Sequence, residues 1–244
     1  MISIVCPVYE MQGRGVEMLG ELLASIYRQT FTDYEIVISS DPGAENMDAA
    51  LQLDPAINLP KIVTVWGKQG AAANLNNAIN HASGDIIKPM FQDDKFMHPD
   101  SLQKIADAFQ PSTSIYVNRT ESDFSYESFP QWVACTSYNS GIENWEHIPR
   151  PHVTLARLRE GENTYGSPSA MAWRRNGLRM DENLKWLFDC EFYSRMAQRY
   201  GVPTFVDTPI FIRQWEGQAT RAICEGHQRV LDTNAVIEKY RGAA

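Results

Sequence analysis

The stretch Gly84-Asp85-Ile86-Ile87-Lys88-Pro89-Met90-Phe91-Gln92-Asp93-Asp94 runs an apolar segment directly into two adjacent carboxylates. Residues 86–91 suit a short buried strand, with Pro89 better placed at an edge or irregular position than in a paired one. Two acids side by side at a strand end repel each other and need a countercharge, which a divalent cation bound through carboxylate oxygens supplies. The plainer alternative is a solvated turn with an N-capping acid, and the motif alone does not choose between them. The elements on either side do.

Upstream, Ile2 to Val8, Glu35 to Ile38 and Ile62 to Val65 are further strand candidates. Between them Val16, Leu19, Leu22, Leu23 and Ile26 recur at helical spacing, as do Leu75, Ala78, Ile79 and Ala82, with Gly84 expected as a left-handed cap. Downstream, Asp100 is a plausible N-cap for a helix through Leu102, Ile105, Ala106 and Phe109, closed by Pro111. Strands are expected around Ile115 to Val117, Trp132 to Thr136, Ala170 to Trp173, Phe205 to Val206 and Ile210 to Ile212. Phe188, Phe192, Met196 and Tyr200 form one face of a helix that Gly201 ends. Alternating strands and helices of this kind predict an α/β fold, a central mostly parallel sheet flanked by helices. The irregular stretches near 118–130 and 139–168 exceed ordinary connections and are expected to be binding loops. No repeat or linker divides residues 1–244, so a single domain is expected, with a C-terminal helix over 221–244.

Composition narrows the function. With 244 residues and 43% hydrophobic side chains the chain can bury a substantial core. A formal charge of −8 has the wrong sign for a nucleic-acid binder. Apolar runs stop well short of the ~20 residues needed to span a bilayer, and no signal peptide is evident. Cys6, Cys135, Cys190 and Cys224 are widely separated, which indicates reduced thiols rather than a zinc or disulfide framework. A soluble cytoplasmic protein is expected.

In open α/β sheets ligands gather at the carboxyl ends of strands. Those ends here are Pro7-Val8-Tyr9-Glu10, Ser39-Ser40-Asp41-Pro42-Gly43 and Gln92-Asp93-Asp94. Together with Ser25-Ile26-Tyr27-Arg28-Gln29-Thr30-Phe31, Asp33-Tyr34-Glu35-Ile36-Val37-Ile38 and Ala82-Ser83-Gly84-Asp85-Ile86-Ile87, their order resembles family 2 glycosyltransferases with the GT-A fold. The resemblance is dense over residues 1–110 and thin afterwards. It implies a nucleotide-sugar-binding half over 1–110 and an acceptor-binding half over 111–220. It also implies transfer of a sugar, with inversion, from a nucleoside-diphosphate sugar, a UDP-sugar first, to an acceptor hydroxyl. Surface polysaccharide or lipopolysaccharide assembly is the family's commonest setting, so a saccharide or lipid-linked acceptor and peripheral contact with the inner membrane face follow as expectations.

The resemblance also implies roles. Pro7 and Tyr9 would wall the nucleotide, Asp41 would accept a hydrogen bond from the base, and Lys68 and Asn76 would lie near the donor. Ser40 and Pro42 depart from the usual residues around Asp41. Asp93 would reach the ribose or the metal's water shell, and Asp94 would ligate Mn2+ or Mg2+ bridging the two phosphates. A late histidine often completes this metal site; Trp215 stands there instead, in Arg213-Gln214-Trp215-Glu216. Water, Glu216 or His227 are the alternative ligands, and Trp215 itself is a candidate for stacking on an acceptor sugar. Leu187-Phe188-Asp189-Cys190-Glu191 resembles the family's catalytic-base segment, with Asp189 at the base position and Glu191 as the second candidate. A helix N-terminus would favour ionised Asp189, and apolar neighbours could lift its pKa toward a useful value. Ser167 lies in a turn that resembles one near the acceptor pocket. Arg150, His152, Arg157 and Arg159 form a basic interval, and Trp132, Trp145, Trp173 and Trp186 offer aromatic surface that core packing also claims. Two other functions fit less of the chain. A nucleotidyltransferase would want a phosphate loop, of which Met11-Gln12-Gly13-Arg14-Gly15 is a faint version; a non-catalytic nucleotide- or carbohydrate-binding module would explain the absent histidine.

Overall fold

β1 (Ile2–Val8) and β2 (Tyr34–Ser40) are buried along their whole length, which is why β1 is a nearly continuous apolar run and the centre of β2, Ile36 to Ile38, is apolar too. Alternate β1 residues serve two separate cores. Ile2, Ile4, Cys6 and Val8 pack on one face of the sheet against Leu19, Leu22 and Ile26 of α1 (Gly15–Tyr27), and Val5 packs on the other against Leu75 and Ile79 of α2 (Ala71–His81). The computed structural model describes residues 1–42, 62–110, 112–116, 124–140, 145–147, 155–160, 163, 165–217 and 227–241.

The remaining elements are β3 (Ile62–Trp66), β4 (Ile86–Pro89), β5 (Lys95–Phe96), α3 (Ser101–Ala108), β6 (Ser112–Tyr116), β7 (Phe124–Ser128), β8 (Trp132–Asn139), β9 (Trp145–His147), α4 (Leu155–Arg159), β10 (Met171–Arg174), α5 (Phe188–Tyr200), β11 (Thr204–Ile212) and α6 (Gln228–Tyr240). The main sheet runs β3-β2-β1-β4-β10-β8-β11-β5, with β9 paired to β8. The first four strands are parallel. β10 enters antiparallel to both β4 and β8, and β11 is parallel to β8. The sheet is therefore parallel where the first half of the chain builds it and mixed where the second half joins. α1 and α3 cover one face and α2 and α5 the other.

Several expectations change. Gly84 caps no helix: α2 ends at His81 with Ala82 extended. Gly84 instead lies against β1, where an added Cβ would meet Ser3 Oγ at 2.7 Å and Met1 O at 2.9 Å, so close backbone approach explains the glycine. Pro89 ends β4 opposite Val5, beyond the Ile86–Ile87 pairing with β10, so its missing N–H breaks no ladder bond there. Asp100 stands at the N-cap of α3 without a side-chain cap bond and pairs with Lys104 at 3.1 Å instead. The two strands expected near 205 and 210 are one strand with an irregularity between Val206 and Ile210. The stretches expected as loops contain β7, β9 and α4, while Val117, Arg150 and His152 lie outside the described residues.

Candidate active site

The carboxylates of Asp93 and Asp94 follow β4 and are both buried. Asp94 Oδ1 accepts the Arg213 backbone N–H at 3.1 Å, and the Arg213 guanidinium reaches Asp93 O at 3.1 Å and Glu21 at 2.6 Å. Trp215 Nε1 donates to Asp93 Oδ2 at 3.2 Å. Burial raises the pKa of both acids, and the neighbouring Asp93 raises Asp94 further. Beneath them Lys88 is fully buried, its ammonium donating to Pro89 O at 3.0 Å and to Ser169 O, and burial lowers its pKa to about 8. Among the described residues neither acid forms an ion pair, and no third His, Cys, Asp or Glu joins them. Glu216 and His227, the substitutes considered for the absent histidine, are both exposed.

Trp215 is thus bound by its ring N–H to the acid pair. Its ring lies over the backbone of Gly217, where an added Cβ would come within 2.2 Å of it, and Arg14 stacks on it at 5.6 Å. The indole can donate to a carboxylate but offers a metal no lone pair.

The other strand ends border the same space. The Tyr9 N–H donates to Gln92 Oε1 at 2.9 Å, and Gln92 Nε2 donates to Gly15 O at 2.7 Å, which ties the end of β1 to the segment after β4. Burial, then the negative charges of Asp93, Asp41 and Glu10, push the Tyr9 hydroxyl up to about 12. Pro7 is buried opposite Ser39 in the register of β1 and β2. Asp41 is raised by burial and accepts from Asn74 Nδ2 and, at 3.4 Å, from Gly70 N–H. Behind it Ser39 Oγ donates to Asn74 Oδ1 at 2.7 Å and accepts from Asn77 at 3.0 Å. Lys68 is exposed. Asn76, in contrast, is engaged elsewhere: its amide donates to Met180 O at 2.9 Å and Glu182 at 3.0 Å and accepts from Met180 N–H at 2.8 Å, fastening α2 to residues 180–182.

Asp189 occupies the first turn of α5, partly exposed. Its Oδ1 accepts the Cys190 N–H at 2.7 Å and its Oδ2 accepts Asn163 Nδ2 at 2.7 Å. Burial outweighs these bonds and raises its pKa to about 6. Glu191 is fully buried and held by Arg195 at 2.6 Å, Lys239 at 3.0 Å and Tyr240 at 2.8 Å, which keep its pKa low against the effect of burial. These partners occupy the carboxylate and leave Asp189 as the acid of α5 available to a ligand. Ser169 is hydrogen-bonded to Asp94 and accepts the Phe91 N–H at 2.8 Å. Residues 163–169 therefore touch Asp189 at one end and Asp94 at the other, a span that full extension limits to roughly 20 Å. Ser167, within this span, has a buried Oγ without a hydrogen-bond partner.

A profile for Glycosyl transferase family 2 matches residues 3–180. The chain belongs to glycosyl transferase family 2. This glycosyltransferase chain is 32% identical over 211 residues to the uncharacterized glycosyltransferase YwdF of Bacillus subtilis (strain 168), covering 82% of its own length and 69% of YwdF. Over 103 residues it is 27% identical to the GalNAc(5)-diNAcBac-PP-undecaprenol beta-1,3-glucosyltransferase of Campylobacter jejuni, covering 39% of its own length and 30% of that enzyme. Its fold is that of S. aureus TarS 1-349 in complex with UDP-GlcNAc (TM-score 0.59, 16% identity, 90% of this chain and 60% of that one). It is also that of the mannosyltransferase PcManGT from Pyrobaculum calidifontis in complex with GDP-Man and Mn2+ (TM-score 0.56, 15% identity, 100% and 75%). The glycosyltransferase thus has the GT-A fold, and it spans about 60% of the TarS chain.

Family membership sets aside the nucleotidyltransferase reading, and the geometry agrees. In the Met11 to Gly15 segment, the N–H groups of Arg14 and Gly15 are bonded to Met11 O and Glu10 O at 3.1 and 3.0 Å rather than left for a phosphate. Trp132 and Trp173 are core residues, Trp186 is partly buried, and the side chain of Trp145 lies outside the described residues. Sequence reasoning missed Asn74 and Asn163, neither of which carried a signal; Ser169 stood in the turn Gly166-Ser167-Pro168-Ser169 singled out for the acceptor side, without a role beside Asp94.

Proposed function

We propose that this chain transfers a sugar from a nucleoside-diphosphate sugar, a UDP-sugar first, to an acceptor hydroxyl in a single inverting displacement. The observation that carries the reading is the segment 163–169, which links the acid pair after β4 to Asp189 on α5. Asp189 takes the proton of the acceptor hydroxyl as that oxygen attacks the anomeric carbon. A carboxylate with a pKa of about 6 is mostly ionised at neutral pH, yet basic enough to hold a proton in the transition state. Because Glu191 is bound by three partners, no second carboxylate of α5 is open to act as a nucleophile in a double displacement.

The donor half of the site is formed by Pro7, Tyr9 and Asp41 around the base, with Asp93 near the ribose. Lys68, exposed beyond β3, can reach toward the donor. Two buried carboxylates that form no ion pair among the described residues fit a divalent cation, so Asp94 would hold Mn2+ or Mg2+ directly and Asp93 through water. When bound, the ion supplies neutralisation of the charge on the departing diphosphate. The PcManGT complex with Mn2+ and the TarS complex with UDP-GlcNAc support both choices. Ser167 and Trp215 would contact the acceptor, Trp215 with the ring surface that Gly217 and Arg14 leave uncovered, since its N–H is held by Asp93. A lipid-linked glycan acceptor, of the kind in the Campylobacter relative's name, fits a cytoplasmic protein in transient contact with the membrane face. Among the described residues no helix is long and apolar enough to cross a membrane.

The test is turnover of UDP-sugars with Mn2+ over a panel of acceptors, beside calorimetric binding of UDP. Asp189→Asn is expected to lose turnover by at least ~100-fold with UDP binding intact, and Asp94→Asn to lose both turnover and the metal dependence of UDP binding. Full activity in Asp189→Asn would overturn the assignment. Failure of UDP, GDP and dTDP alike to raise the melting point would overturn the donor.

A further inference from the structure

We infer that Asn163 is the positioning residue of Asp189: it fixes the carboxylate from outside α5 and couples it to the segment that runs on to Ser167 and Ser169. The inference rests on the reading of Asp189 as the base, and its test separates the two.

The Asn163 amide is fully engaged. Its Nδ2 donates to Asp189 Oδ2 at 2.7 Å and to Gly166 O at 2.9 Å, while its Oδ1 accepts the N–H groups of Tyr165 at 3.2 Å and Gly166 at 3.0 Å. This pattern admits one orientation only. Flipping the amide would set its oxygen against a carboxylate and a carbonyl, and its NH2 against two N–H groups. Three bonds to the backbone thus aim the remaining N–H at the Asp189 oxygen not already bound by the Cys190 N–H.

No other described side chain does this from across the helix. On α5 itself, Cys190 and Tyr193 face Asp189, and the Tyr193 hydroxyl donates to Gly166 O at 3.3 Å. The segment opposite supplies Tyr165, whose buried ring lies 6.1 Å from that of Tyr193. On α4, Arg159 donates to Ser194 at 3.2 Å and stacks on Tyr240, and Arg157 is exposed. On α6, Lys239 and Tyr240 are bound to Glu191, and Asp232 to the backbone of 185–187. Among the described residues, desolvation of Asp189 is therefore opposed from outside α5 by one neutral side-chain donor. An asparagine cannot titrate, so it steadies the ionised base without adding a charge that would hold the proton off permanently.

The experiment uses the full chain with Asn163→Ala and Asn163→Asp. Asn163→Asp keeps an acceptor for the Tyr165 and Gly166 N–H groups, so the turn survives if alanine disrupts it. Two readouts are taken. The first is the pH dependence of kcat/KM for UDP-sugar turnover. The second is the infrared carbonyl stretch of protonated Asp189, assigned by its loss in Asp189→Asn, which needs no turnover. Losing a hydrogen bond to the charged form should move the wild-type midpoint near 6 upward by about one pH unit in Asn163→Ala, and further in Asn163→Asp. The acid limb of kcat/KM should move with it, so that in Asn163→Ala the rate falls about fivefold at pH 6 and recovers most of the loss above pH 8. A uniform loss at every pH with an unmoved infrared midpoint overturns the inference and leaves Asn163 a turn residue. A wild-type chain that turns over no donor overturns the transfer reading, and the infrared midpoint then decides the coupling by itself.

Discussion

Replacing Asp232 by alanine should be among the most damaging single changes outside the candidate site. Asp232 lies on α6 and is 1% exposed. Its Oδ2 accepts the N–H groups of Lys185 at 2.9 Å, Trp186 at 2.6 Å and Leu187 at 3.1 Å, just before α5, and its Oδ1 accepts Gln228 Nε2 at 2.7 Å. Three successive amides converging on one anionic oxygen form a small anion nest, here filled by the chain itself. A hydrogen bond to a charged group nets ~1.5–3 kcal/mol, and three sharing one oxygen are far from additive. The loss on Asp232→Ala should therefore be ~3–5 kcal/mol, since alanine also strands buried donors. At ~2–4 °C per kcal/mol for a chain of this size, that lowers Tm by about 10 °C. Asp232→Asn keeps a carbonyl for the amides but loses the charge, and should cost about 1–2 kcal/mol. Urea unfolding followed by tryptophan fluorescence reads both, with Trp186 reporting at the nest itself. A loss below ~1 kcal/mol in Asp232→Ala, or equal losses in the two variants, would show that apolar packing of Val236 holds α6 and refute the nest argument.

Glu35 is buried, which raises its pKa, but bonds from Ser3 at 2.7 Å, from Ser83 at 2.5 and 2.8 Å and from Gly84 outweigh that and hold it at about 2. A depressed carboxylate stabilises the fold above its unfolded value near 4.5 and loses that effect as pH falls toward 2, so Glu35→Gln should cost about 2–3 kcal/mol at pH 7 and flatten the Tm profile across that window; parallel profiles would count against it. Asp189 has the opposite sign. Its raised pKa means that its contribution is full below about 4 and lost as pH rises through 6, so Asp189→Asn should be more stable than wild type at pH 8, by roughly 1–2 kcal/mol, and equal to it near pH 4 in thermal melts. Asn74→Leu removes the amide that orients Asp41 and should weaken UDP binding about tenfold by calorimetry, with little change in Tm if the pocket rather than the fold depends on it.

β1 and the centre of β2 were legible because burial on both faces makes them largely apolar, as Ile2 to Val8 illustrates. The acid pair and the α5 helix were legible for a related reason, since each sits where a periodic pattern starts or stops. The residues that were misplaced or missed are those whose partners are remote in sequence. Asn76 looks like a polar residue on an Ala-rich helix, yet its partners are 104 and 106 positions away. Asn163 falls in a stretch without periodicity, and nothing local announces the carboxylate 26 positions on. Gly84 was expected to end a helix because glycine commonly does; the true reason, the proximity of Ser3, lies 81 positions upstream. Lys88 has the sequence appearance of an interruption in a strand, whereas its ammonium lies beneath the acid pair and donates to Ser169 O.

The bond from the Arg213 backbone to Asp94 crosses 119 positions, and the Lys95–Phe96 strand finds its partner only in β11. A ribosome delivers the chain from its amino end, so Asp93 and Asp94 emerge long before the residues that will desolvate them. Through most of synthesis the pair is an ordinary hydrated turn with little reason to retain a nucleotide. Its character as a charged pocket arrives with Arg213 and Trp215, which makes competence for donor a property of the finished molecule rather than of its nascent half.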